Sequence, residues 1–235
     1  MKEKALIFDK KKHLLYSKDV KKVILSHLSA AYNEGDIEKI WEQIQRTYIS
    51  FLKDMPFIGG RKNAQARGVY DSIALFAYYE AVPDKPSFAE LSAMNNETFV
   101  PAMQRKGFLN MNRAWVLRLQ HFIFCLIANK ARKHEQEWVG NYHMKVSPYD
   151  KEKGIYYEFT SCPIADFAKK HGYTALMPAF CNPDYPMLQA MHGGLIRKST
   201  CSHGDCCDYW IVGDQSKYLK RHPLKRDNKG YLFNE

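Results

Sequence analysis

Residues 138–146, WVGNYHMKV, and 155–161, IYYEFTS, mark the point where the character of the chain changes. Both runs are rich in aromatic and β-branched side chains, which suit a pleated, half-buried surface. Between them residues 147–154, SPYDKEKG, supply the Ser, Pro, Asp and Gly of a turn-rich hairpin loop. Two antiparallel strands joined by that loop are therefore predicted. Further along, Pro163 suits the first position of a short helix. Residues 194–200 and 207–212 then read as a second strand pair around Ser202-His203-Gly204-Asp205.

Upstream of residue 137 the period is helical. Val20, Val23, Ile24 and Leu28 share one face, as do Ile37, Ile40, Trp41, Ile44, Tyr48, Phe51 and Leu52. Asp36 is the expected N-cap of the second helix, which Pro56 and Gly59-Gly60 end, with the glycines as a possible C-cap. A third helix is predicted from near Asn63 to Ala81, before Pro83. Ser87 and Glu90 have the spacing of a capping box for a fourth. The fifth carries the apolar run at 114–129, AWVLRLQHFIFCLIAN, which Arg118, Gln120 and His121 interrupt. That run is too short to span a bilayer and reads as a buried core helix. Helices first and an antiparallel sheet later predict an α+β fold. About five helices occupy 1–136, an α+β part with the site occupies 137–215, and 216–235 reads as a basic tail. These parts are expected to pack as one domain.

The formal net charge of +10 suggests an acidic partner until it is located. Residues 1–22 hold eight Lys against three acids, and residues 216–235 hold six Lys or Arg against two. The long middle is left nearly neutral. A nucleic-acid footprint would place cations on a folded face with aromatics between them, and no such stretch stands out. The partner expected is a small-molecule substrate, with no nucleic acid and no membrane. The first 20 residues have no apolar stretch ahead of a small-residue cleavage site, so a cytoplasmic location is expected.

Five of the six cysteines, Cys162, Cys181, Cys201, Cys206 and Cys207, crowd into 46 residues, which points to a site rather than to disulfides. Cys181 and Asp184 are three apart with Pro183 stiffening the link, so a thiol nucleophile and a proton-shuttling carboxylate can share a pocket. A carboxylate raises a thiol's pKa, so the pair needs a cation, which Arg197 or His203 could supply. The opposing structural reading is a buried thiol beside a helix-capping Asp. Arg197 is also suited to grip a carboxylate. His143, His171 and His192 are further acid–base candidates. Zinc is disfavoured at residues 201–207, CSHGDCC, because no paired C-x-x-C is present, and adjacent Cys206 and Cys207 would face opposite ways on a strand. No metal and no cofactor is expected.

These residues carry a resemblance. Pro56-Phe-Ile-Gly-Gly60 with Asn63, Cys162-Pro163, Phe180-Cys181 with Asp184, Arg197 with Thr200, and Gly204 leading to Cys207-Asp208-Tyr209 resemble the L-2-amino-thiazoline-4-carboxylic acid hydrolase-like family. The likeness runs over roughly residues 30–213. It implies a cytosolic hydrolase that opens a 2-amino-thiazoline ring toward an N-carbamoyl amino acid. It further implies Cys181, Asp184 and Cys207 as catalytic groups, with Arg197, Asn63 and Thr200 on the substrate. The C-x-x-D element with a distant second cysteine is also similar, more loosely, to organomercurial lyases. The alternative from another class is a non-catalytic sensor that binds a small molecule, a thiol or a metal through its cysteines.

Overall fold

The computed structural model describes residues 15–235. Most of the basic run at 1–22 lies outside the described residues. Five helices come first: α1 (Lys18–Ala31), α2 (Glu34–Asp54), α3 (Ala66–Ala81), α4 (Phe88–Gln104) and α5 (Ala114–Lys133). Local chemistry sets their starts. Ser17 accepts from the Val20 N–H at α1, and Ser87 and Glu90 form the reciprocal capping box on α4. Helix α2 is capped by Asn33 rather than Asp36; Asp36 sits inside the first turn, where its charge suits the positive end of the helix dipole.

After them come β1 (His143–Val146), β2 (Ile155–Ser161), α6 (Pro163–His171), α7 (Met177–Cys181) and α8 (Asp184–Gln189). Then follow β3 (Gly193–Ile196), β4 (Cys207–Gly213), α9 (Lys217–Lys220), β5 (Leu224–Arg226) and β6 (Leu232–Asn234). The main sheet is antiparallel in the order β1-β2-β4-β3, and β5 pairs with β6 separately. The fold is α+β, helices first. Both predicted hairpins form, and β2–β4 pairing joins them, setting Tyr157 opposite Tyr209 and Phe159 opposite Cys207.

Two strands are shorter than the pattern suggests. The run at 138–146 contributes only its last four residues. Trp138 instead closes off α5, its N–H donating to the His134 carbonyl and its ring stacked on the imidazole at 4.5 Å. The strand predicted at 194–200 stops at Ile196. There the Asp208 carboxylate accepts from the N–H groups of Lys198 and Ser199 and takes both donors from sheet pairing.

The core has two parts. One lies among α1–α4, α6 and α7, with α3 at its centre; residues 69–78 of α3 are all buried. The other lies between α5 and the sheet, where Val116 and Leu117 meet Ile155, Tyr157, Tyr209 and Ile211. The expectation that α5 is a buried core helix is thus overturned. Only Val116, Leu117 and Ala131 of it are buried, while Trp115, Leu119, Phe122, Ile123 and Leu126 are exposed. A helix apolar on all sides reads as enclosed, yet only one side of α5 has found cover.

Gly59 and Gly60 do not cap a helix C-terminus. With φ of 99° and 54° they turn the chain into a 3-10 turn at Gly60–Lys62, and a Cβ on Gly59 would collide with the Trp138 ring. Residues 216–235 are likewise not a free tail. They form α9 and the β5–β6 hairpin, and they bury Tyr231 and Asn234 against the body.

Candidate active site

Two helix junctions and one strand assemble the site. Cys181 ends α7 and Asp184 begins α8, with Pro183 between them. Arg197 follows β3 directly. Cys207 opens β4, and the two-residue period of that strand buries Cys207, Tyr209 and Ile211 on one face. Cys206 precedes the strand and is less enclosed, so Cys207 is the thiol turned toward the site.

Arg197 ties these pieces together. Its Nη1 donates to Asp184 Oδ2 at 2.7 Å and its Nη2 to the Cys181 carbonyl at 3.0 Å. The guanidinium stands 5.1 Å from the Tyr185 ring centre and 5.7 Å from that of Tyr209. Tyr209 Oη donates to the same Asp184 oxygen at 2.8 Å. Arg197, not His203, is therefore the cation beside the Cys181–Asp184 pair; His203 faces Asp227 at 3.6 Å and stacks on Tyr231. Both terminal nitrogens of Arg197 are engaged with protein groups, each through one of its two N–H bonds. Nε is buried without a partner.

Burial raises the Asp184 carboxyl above the usual range, against the opposing pull of Arg197 and Tyr209. Burial also pushes the Cys181 thiol up to about 11, although Arg197 works the other way. The Cys181 sulfur lies 3.6 Å from Ser202 Oγ, which contacts Thr200 Oγ1 at 3.0 Å and accepts from Tyr231 Oη at 2.9 Å. Thr200 thus reaches the thiol through Ser202.

Cys201 and Cys207 form a second thiol pair. The Cys201 N–H donates to Cys207 Sγ at 3.1 Å, and the Cys201 thiol contacts the Phe159 carbonyl at 3.2 Å. The hydrogen bond between the two sulfurs raises the Cys207 thiol, with burial adding to it, and lowers that of Cys201. Cys162 is close enough to Cys181 and Cys201 to feel their charge, and burial raises it. Tyr142 is enclosed beside Cys162, Cys207 and Asp184.

Asn63 sits further out. Its amide donates to the Ile58 carbonyl and to Asn141 Oδ1, and its oxygen accepts from the Gln65 N–H. Both donors are spent on the protein, and through Asn141 they anchor the stretch that leads into Tyr142. His143, His171 and His192 lie beside Glu135, Asp54 and Asp214 respectively. No hydrogen bond or ion pair joins those three histidines to Cys181 or Asp184 among the described residues.

A cleft of about 180 Å³ reaches the cluster, lined by Arg197, Lys198, Ser199, Thr200, His203, Asp227 and residues 231–233. Cys181, Asp184 and Cys207 stand outside that lining. Among the described residues no three His, Cys, Asp or Glu groups are set to hold a metal ion.

Nothing in the sequence singles out Ser202, Tyr231 or Asn234, or picks Cys201 from the five clustered cysteines. Asn234 Oδ1 accepts from the Arg197 N–H and from Tyr185 Oη, each at 3.0 Å, and its own N–H donates to the Arg197 carbonyl at 2.8 Å. Nothing local in the 224–234 segment signals such a role.

A family model covers the stretch that holds Cys181, Asp184, Arg197 and Cys207. The model for L-2-amino-thiazoline-4-carboxylic acid hydrolase matches residues 23–211. The chain belongs to that family. The matched segment includes α2 through most of β4 and every expected site residue; it leaves α9 and the β5–β6 hairpin outside. No curated protein and no solved structure matches the chain.

Proposed function

We propose that the protein hydrolyses a small cyclic amidine or thiazoline carboxylic acid, opening the ring toward an N-carbamoyl amino acid with help from a thiol. The observation that carries this reading is the guanidinium of Arg197 bridging Asp184 and the Cys181 carbonyl, which holds a thiol and a carboxylate in one desolvated place. The family's description adds to it.

In the scheme Asp184 takes the proton of the Cys181 thiol as its sulfur attacks the ring carbon that bears the amino group. The ring carbon–sulfur bond breaks, and the departing sulfur takes a proton from Asp184. Water then attacks the resulting S-linked isothiourea, releasing the Cys181 thiol and an N-carbamoyl product with a free thiol of its own. Burial keeps the proton on Asp184 to higher pH than in water, as a general acid requires. Arg197 lines the cleft, which makes its guanidinium the cation that meets a substrate carboxylate there. Cys207 supports the site as the proton-holding member of its pair with Cys201.

The rival reading, a non-catalytic sensor, calls on the same thiols, and the absence of Cys181, Asp184 and Cys207 from the lining of the open cleft favours neither reading. One experiment separates the two. The protein is incubated with 2-amino-thiazoline-4-carboxylate, and mass spectrometry follows a product heavier by one water while a thiol reagent follows the new sulfhydryl. Cys181→Ser is expected to slow turnover by at least about 10²-fold and Asp184→Asn by about 10²-fold. Near-wild-type turnover by Cys181→Ser sinks the nucleophile assignment, and tight binding without turnover by the unaltered protein sinks the enzyme reading.

A further inference from the structure

The outward face of α5 has no part in the chemistry above. Trp115, Leu119, Phe122 and Leu126 recur at spacings of four, three and four residues, which sets them in one stripe along the helix. All four are exposed, by 42% (Leu119) to 58% (Phe122), and Ile123 widens the stripe. At 3.6 residues per turn Arg118 falls on one edge of the stripe and Lys130 on the other, and Lys133 continues it toward the helix end. These three are exposed as well.

The charge around the stripe has one sign. Residues 98–134 contain seven Lys or Arg and no Asp or Glu. Arg105 lies 3.7 Å from Asp19, and Lys130 Nζ donates to the Lys62 carbonyl at 2.8 Å. Arg118 and Lys133 have no carboxylate within ion-pair distance among the described residues.

We infer that this face of α5 docks on an anionic lipid surface. An apolar stripe with a Trp and a Phe, edged by cations and free of acids, is the pattern of a helix lying in the headgroup boundary. Its apolar side chains enter that boundary while Arg118 and Lys130 meet lipid phosphates. No helix among the described residues is long and apolar enough to cross a membrane, so α5 lies along the surface and does not span it. Pairing with a second copy would bring Arg118 and Lys130 against their own kind with no carboxylate to receive them. A stable interface between chains also takes about 20–30 residues a side, more than this stripe presents.

The test is flotation of the full chain with phosphatidylcholine vesicles and with vesicles that also carry phosphatidylglycerol. Binding to the second kind is expected, with little to the first and release as salt rises. Arg118→Gln is expected to weaken partitioning about five-fold. The Phe122→Ser/Leu126→Ser pair is expected to weaken it by more than about ten-fold. Both variants change exposed side chains, so an unaltered melting temperature accompanies the loss. No flotation with anionic vesicles at low salt overturns the inference. So does flotation that survives the Phe122 and Leu126 changes. A dimer in sedimentation velocity that Phe122→Ser dissolves overturns it too, in favour of a second copy on this face.

Discussion

Arg197 and Asp184 share one 2.7 Å bond but stand differently toward solvent: the guanidinium side chain is 1% accessible and the carboxylate 30%. The arginine's charge is enclosed and depends on its partner, whereas the aspartate keeps some contact with solvent although it does not line the cleft.

Removing the partner should therefore cost more than removing a surface ion pair. Asp184→Ala leaves a buried guanidinium without its carboxylate and is expected to destabilise the fold by about 3 kcal/mol. Urea unfolding monitored by tryptophan fluorescence reads this directly. A loss below about 1 kcal/mol, the range of an exposed pair, contradicts the enclosed-charge account.

Asp71 on α3 predicts a pH dependence of stability. It is buried, accepts from the Ser17 N–H at 2.5 Å, and burial raises its carboxyl to about 6, above the ordinary 3.8. An acid whose pKa is higher in the folded state binds its proton more tightly there, so folding weakens as pH rises from about 4 to 6. The full difference amounts to roughly 3 kcal/mol. Asp71→Asn should flatten that part of the curve; an unchanged slope in the variant would assign it to other groups.

The thiols should react unequally. Cys201 is the sulfur whose pKa is lowered, through the hydrogen bond from Cys207, while burial raises Cys162 and Cys181. Alkylation with iodoacetamide at mildly alkaline pH, mapped by mass spectrometry, is expected to modify Cys201 before Cys162, Cys181 and Cys207. Cys207→Ala removes the donor and should slow Cys201 labelling. If Cys181 labels first, the proton-sharing pair is not what governs reactivity here.

Asn234 gives a test of the clamp on Arg197. Asn234→Ala removes the acceptor of the Arg197 N–H and Tyr185 Oη and the donor to the His222 carbonyl, and should cost about 2 kcal/mol. Asn234→Asp keeps the acceptor and should restore part of the loss. Ring-opening activity of the folded alanine variant is expected to fall in kcat more than in KM, because the guanidinium drifts from Asp184.

The helices were legible because each carries its own instructions: the Ser87–Glu90 capping box forms as its spacing predicts, and the apolar period of α2 buries Ile40, Ile44, Tyr48, Phe51 and Leu52. The strand period set Cys206 and Cys207 on opposite faces without choosing between them; the strand buries Cys207 together with Tyr209. Helix α5 was misjudged because periodicity reports apolarity and not the presence of a covering layer. The 216–235 segment was misjudged because its lysines and arginines dominate its composition, while the two residues that matter, Tyr231 and Asn234, are single positions in a polar stretch. Cys201 escaped notice for a similar reason: its significance is a sulfur–sulfur contact made by the bend between β3 and β4, and that bend depends on Asp208.

The clamp on Arg197 lies outside the segment shared with the family. The matched residues stop at 211, whereas Asn234 contributes three of the hydrogen bonds that fix Arg197 and Tyr185. The arginine thus lies inside the matched segment and part of its fastening outside it. A change in the hairpin that loosens Asn234 frees the tilt of the guanidinium over Asp184. The hairpin is therefore a handle on the geometry of the Arg197–Asp184 pair that leaves every residue of the matched segment in place.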